Sequence, residues 1–252
     1  LNKGDIPSFK ESFLLELSHV IEDIEFIQNT RLLTRAVINF KQGSSLVELA
    51  KLDSEILDGA ITSPPYCNRY DYTRTYALEL NYLGYDSEQI SKMRQDLISC
   101  TVENKSKEEF LRDYYQQIGH YDRYEHIMNC LDSVKAFNEI KTALQKRNDN
   151  GEINNKGVLR MVEGYFMDLA FIYGEIYRLF KPGASIAVVN DNVRYAGEVI
   201  PVDFLSSEIA EKLGFKVKKI YTLKQTKGNS SQQMAKYGKV ALRKSITIWT
   251  KE

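Results

Sequence analysis

The sequence predicts an α/β fold, in which helices alternate with short apolar strands around a largely parallel sheet and a helical insertion interrupts the order. Three observations carry that expectation. Helical periodicity marks residues 9–30 and 158–180, compact β-rich runs mark 57–62, 184–190 and 244–250, and the stretch from about Thr73 to Arg147 shows helical pattern without a strand. At 252 residues the chain can bury a real core in one or two domains. It divides into 1–84 (an N-terminal helix and the first part of the α/β domain), 85–155 (the helical insertion) and 156–252 (the rest of the domain).

Taken in order, residues 9–30 carry Phe13, Leu14, Leu17, Val20, Ile21, Ile24 and Ile27 at three- and four-residue steps, an amphipathic helix. Ala36–Phe40 reads as a short strand, Ser44–Leu52 as a short helix, and Leu57–Thr62 as a strand stopped by two prolines. The helical stretch breaks near Gly84–Ser87 and Asn104–Ser106 and ends at Asn148–Gly151. Val158–Phe180 is the next helix, turning tightly at Lys181-Pro182-Gly183 into a strand at Ala184–Asn190. A helix at Pro201–Leu213, a turn at Gly214, a strand at Lys216–Tyr221, a polar stretch and a last strand at Lys244–Thr250 complete the chain, the closing strands forming an antiparallel edge.

Thirty-four acidic and thirty-four basic side chains balance, which excludes a protein held to nucleic acid by net charge alone and requires any such contact to be local. No apolar run approaches a bilayer span and no secretory signal opens the chain, so a cytoplasmic address is expected, with no membrane contact. Cys67, Cys100 and Cys130, odd in number and irregular in spacing, read as free thiols of a reducing compartment. His120, His126 and Cys130 could share a helix face, but no compact second ligand pair accompanies them and no metal is expected.

The chemistry lies at the end of the strand, in Thr62-Ser63-Pro64-Pro65-Tyr66. An exocyclic base amine is a poor nucleophile because its lone pair is delocalised into the ring. A side-chain acceptor and a backbone carbonyl, each taking one N–H bond, can hold such an amine with its lone pair aimed at an electrophilic methyl group. Ser63 supplies the first acceptor and the Pro64 carbonyl the second, while Pro65 stiffens the backbone and removes a competing donor. Tyr66 offers a ring face on which a flipped base can stack. The plainer alternative is that Ser-Pro-Pro-Tyr only ends a strand. Ligands of open α/β sheets sit beyond the carboxyl ends of strands, which is where Leu57–Thr62 delivers the motif.

Asp58–Tyr66 resembles the catalytic motif of the DNA amino-methyltransferases, and Ser63 in first place looks most like the N4-cytosine group, with N6-adenine the alternative. Asn68–Arg74, Leu179–Gly183 before a strand, and Lys244–Trp249 resemble later motifs of that family's catalytic half. The resemblance implies a Rossmann-like methyltransferase sheet and S-adenosyl-L-methionine (AdoMet) as methyl donor, with Thr62 and Ser63 beside it. It implies DNA as substrate, in a restriction-modification or related system. Methylation of RNA and a non-catalytic DNA-binding subunit remain alternatives. Arg69 and Arg74 flank the motif as candidate DNA contacts, and the polar loop Lys224–Gln233 offers Lys227, Asn229, Ser230 and Gln232.

One part of that pattern is missing. No two glycines lie within two residues of each other, so the glycine-rich turn that cradles AdoMet in the family is absent from this sequence. With Ala36–Phe40 as third strand and Leu57–Thr62 as fourth, the first two strands of the usual sheet are absent too, leaving an unpaired apolar edge. A split or truncated enzyme is expected, its AdoMet site completed by a partner polypeptide or an upstream segment. The non-Met first residue, Leu1, fits truncation or an unusual start codon. The helical block at 85–155 is read as a target-recognition or partner-docking insertion, or as a lid.

Overall fold

The computed structural model describes residues 7–30, 37–223 and 234–252, in two units, residues 1–42 and 43–252. The first unit contains helix α1 (Phe9–Asn29), opened by a capping box in which Ser8 and Glu11 exchange hydrogen bonds. The expected strand at 36–40 does not form. Ala36 lies outside the described residues, and Val37–Phe40 is irregular and exposed, because β propensity without a neighbouring strand leaves the backbone unpaired.

In the second unit α2 (Ser45–Glu48) and a 3-10 turn lead into β1 (Leu57–Thr62). Then come α3 (Tyr72–Thr75), α4 (Ala77–Tyr82), α5 (Ser87–Asp96), α6 (Glu108–Gln117), α7 (Tyr121–Asp132), α8 (Lys135–Asp149) and α9 (Gly157–Leu179). Strand β2 (Phe180–Asp191), a hairpin of β3 (Val193–Tyr195) and β4 (Glu198–Ile200), α10 (Val202–Lys212), β5 (Phe215–Leu223), α11 (Met234–Tyr237) and β6 (Lys244–Lys251) follow. The sheet order is β1-β2-β6-β5. Only β1 and β2 are parallel; β6 runs antiparallel between β2 and β5, so the sheet is mixed rather than largely parallel. The turn expected at Lys181–Gly183 is absorbed into β2 as a register shift opposite Leu57–Gly59, with Gly183 at φ 85°. No described helix is long and apolar enough to cross a membrane.

The core lies on one face of the sheet. Trp249 of β6 is fully buried there, edge-on to Tyr173 of α9 at 4.8 Å and donating to Ser207 Oγ of α10 at 3.1 Å. Strand alternation sends Ile61, Ala187, Val189, Ile246, Ile248 and Tyr221 to the opposite face, paired across the ladders as Ile61 with Ala187, Ala187 with Ile248, Val189 with Ile246 and Ile246 with Tyr221. Ile61 is 88% exposed and Tyr221 47%, and the others are half-buried. The free edge of β1 borders this bare face.

Helices α6 and α7 are joined to α9 through two buried carboxylates of α9. Asp168 accepts from Lys107 Nζ at 2.7 Å and from the Ser99 amide at 2.8 Å; Glu175 takes both Arg123 bonds at 3.0 Å, Tyr115 at 2.9 Å and Arg178 at 2.7 Å. Cys67, Cys100 and Cys130 are free and buried.

Candidate active site

Strand β1 ends as expected, and the residues after Thr62 leave the sheet at its carboxyl end. Pro64 is buried and Pro65 half-buried, which fixes the backbone, whereas Ser63 is exposed. Ser63 Oγ lies 3.3 Å from the Tyr66 hydroxyl. No described group donates to the Pro64 carbonyl, so one side-chain acceptor and one backbone acceptor stand together at an open strand end. Thr62 pairs with Val188 of β2.

The chain then turns sharply: the Asn68 amide donates to the Tyr66 carbonyl at 2.7 Å, and Arg69 takes a left-handed conformation at φ 65°. The Tyr195 hydroxyl of the β3–β4 hairpin donates to the Cys67 carbonyl at 2.6 Å, pinning the turn from below. Burial pushes the Cys67 thiol well up, so it stays protonated and packs as an apolar group.

A residue that sequence reasoning did not assign to the site completes it. Lys244, the first residue of β6, faces Asp191 across the ladder, and its ammonium sits 5.1 Å from the centroid of the Tyr66 ring. A hydrogen bond to the Tyr66 hydroxyl raises the lysine above its usual range and keeps it charged. The available signal was the placement of a lysine at the head of a strand whose next residues on that face, Ile246 and Ile248, are apolar.

The two flanking arginines are engaged within the protein. Arg69 Nη1 donates to Asn154 Oδ1 at 3.0 Å, and its guanidinium lies 5.9 Å from the Tyr195 ring. Arg74 bridges Asp71 at 3.3 Å and Glu103 at 2.8 Å but remains largely on the surface. Asp71 caps α3, accepting from the Thr73 and Arg74 amides, and pairs with Arg94 at 2.9 Å. Burial raises its carboxyl, but the Thr73 hydroxyl, Arg94 and the two amides outweigh that and hold it below the usual aspartate range. Lys227, Asn229, Ser230 and Gln232 lie outside the described residues. A 580 Å³ cleft elsewhere is lined by Asn138, Lys146, Arg147 and Glu198 and shares no residue with the motif. Its arginine is already paired with Glu152 and Glu198.

Comparison with known proteins points to one enzyme class. The type II methyltransferase M.BsoBI of Geobacillus stearothermophilus is 58% identical over 251 residues, which cover 100% of this chain and 49% of that protein. The type II methyltransferase M.AvaI of Anabaena variabilis is 41% identical over 254 residues, covering 99% of this chain and 50% of its own length. The chain thus spans about half the length of the curated relatives it matches. No protein-family model matches it. Among solved structures, a Thermus thermophilus protein assigned as a DNA modification methylase and solved with AdoMet aligns at a TM-score of 0.36 and 16% identity, over 83% of this chain and 53% of that one.

Proposed function

We propose that this chain is the base-accepting half of an AdoMet-dependent DNA amino-methyltransferase of a restriction-modification system, acting on N4 of cytosine. The observation that carries the reading is the pairing of two acceptors, Ser63 Oγ, which meets the Tyr66 hydroxyl at 3.3 Å, and the Pro64 carbonyl, to which no described group donates, with an aromatic ring at a strand's carboxyl end. Ser63 Oγ and the Pro64 carbonyl each accept one hydrogen bond from the amine N–H groups, so that the nitrogen lone pair is directed out of the base plane. Pro65 keeps the backbone rigid, and Tyr66, held between Ser63 and Lys244, stacks the flipped base. Arg69 and Arg74, with Lys227, Asn229, Ser230 and Gln232, are assigned to DNA contacts, and the helices of 85–155 to target recognition or docking.

AdoMet supplies the methyl group when bound, and Thr62 and Ser63 border its position. The rest of its cradle does not fit this chain: the sequence has no glycine-rich turn, and among the described residues β1 has no neighbour on its free edge where a second set of donors would stand. The methyl donor is therefore assigned mainly to the complementing half, and the residues here bind and aim the acceptor.

The test supplies this chain with the part of M.BsoBI it does not cover and follows transfer of labelled methyl groups to duplex DNA. Ser63→Ala is expected to slow transfer by about 10²–10³-fold, as for loss of one preorganised polar contact to a reacting group. Equal rates for variant and parent would sink the assignment. Product analysis separates N4-methylcytosine from N6-methyladenine, and a structured RNA substrate separates RNA methylation. A second reading, a DNA-binding subunit without catalysis, is favoured by the missing cofactor turn; it requires DNA binding with no transfer in any combination.

A further inference from the structure

We infer that the free edge of β1 and the bare face of the sheet are a single docking surface. Its occupant is a polypeptide corresponding to the half of M.BsoBI and M.AvaI that this chain does not cover. That half lays a strand parallel to β1 and a helical layer over Ile61, Val189, Ile246, Ile248 and Tyr221. The inference rests on the proposed function only for what the docked half carries, the methyl donor; the surface itself is argued from geometry.

The two edges of the sheet differ in kind. Natural edge strands are guarded by lysines, prolines or bulges that discourage pairing. Strand β5, the far edge, is a guarded strand: Lys216, Lys218 and Lys219 line it, and it shifts register between Val217 and Lys219. Strand β1 is not. Its one charge, Asp58, is tied to Lys181 at 2.7 Å, and the rest is Leu57, Gly59, Ala60, Ile61 and Thr62, with Ile61 88% exposed.

The face argues the same way. A sheet face left to solvent normally carries polar side chains, whereas this mixed sheet turns Ile61, Val189, Ile246 and Ile248 to its open face. Here α9 and α10 cover one side of the β1–β2 pair and its neighbours, while among the described residues of this unit nothing covers the other. Edge and face meet at Ile61, one residue before the motif. A second copy of this chain satisfies less, because two-fold pairing of β1 with itself sets the strands antiparallel and leaves the bare face open. The relatives, twice as long, contain a missing half of adequate size for both a strand and a helical layer.

The experiment co-expresses the full chain with the uncovered part of M.BsoBI as a separate tagged polypeptide. Light scattering, titration and hydrogen exchange are then read on the purified mixture. A one-to-one complex is expected, with the amides of Gly59–Thr62 slowed on binding. Ile61→Asp and Tyr221→Glu should each weaken the complex by about tenfold or more. Both side chains are exposed in this chain, so the free variants should melt as the parent does. Ser63→Ala should bind as the parent does while losing methyl transfer, so docking and catalysis fail on different variants. A chain that stays unbound, a self-association abolished by Ile61→Asp, or a complex indifferent to both surface variants would each overturn the inference.

Discussion

On one face of the sheet Trp249 is enclosed by Tyr173 and Ser207, and α9 behind it carries two buried carboxylates paired with Lys107 at the start of α6 and Arg123 of α7. On the other face Ile61, Val189, Ile246 and Ile248 form an apolar stripe with no covering layer among the described residues of the same unit, and the catalytic candidates Ser63 and Tyr66 follow at the end of β1. The chain invests its packing away from its chemistry. The difference teaches that packing and candidate chemistry are divided here: the buried aromatic and ionic contacts lie on the covered side, while the open side presents the surface proposed for docking.

That contrast can be broken most forcefully from the covered side. Lys107→Met leaves the Asp168 carboxylate buried without its cation, which should cost the isolated chain about 3–5 kcal/mol in urea unfolding. Burial already holds the Asp168 carboxyl above its usual 3.8 despite the opposing pull of Lys107 and Ser99. The native state therefore binds that proton more tightly than the unfolded state. The term destabilises above the raised value, and stability should recover as pH falls toward 3.8. A variant as stable as the parent at neutral pH would show that the helical block is not fastened through Asp168.

Near the motif the expected effects are smaller and the sign of the pH term reverses. Asp71→Ala removes the cap of α3 and the pairing with Arg94, for about 1–2 kcal/mol in thermal unfolding. Because the Asp71 carboxyl is held below 3.8, its contribution is fully present above that value and is lost as pH falls through the lowered one. A loss of that contribution that begins only below 3.8 is the check. The smallest effect belongs to the open face: Ile61→Asp should change the isolated chain's stability by less than about 0.5 kcal/mol. A large loss there would mean that the bare face is already packed.

The sequence made some of this legible and hid the rest for identifiable reasons. Leu57–Thr62 and the helices at 9–29 and 157–179 were readable because periodicity and flanking prolines or turns agree locally. The β3–β4 hairpin was not, since its turn uses Ala196 at φ 46° before Gly197, and alanine is a poor advertisement for a left-handed position. The mixed order of the sheet was also hidden, because β6 enters between β2 and β5 only through long-range pairing. In the site, Ser63 and Tyr66 were visible as a contiguous motif, and the brace of Arg74 on Asp71 is a helical i, i+3 neighbour. Lys244 and the Arg74–Glu103 pair depend on tertiary folding, which one-dimensional spacing does not encode.

The parallel pairing of β1 with β2 spans nearly half the chain, and that span sets a clock. At ribosomal rates of roughly 5–20 residues per second, the ~120 residues from Thr62 to Phe180 take about 6–24 s to make. For that interval β1 has emerged without β2, the strand it pairs with in this chain. That pairing forms only when β2 leaves the exit tunnel. Nascent chains therefore face a window in which holdase chaperones compete with aggregation, and slower translation through the helical block widens it.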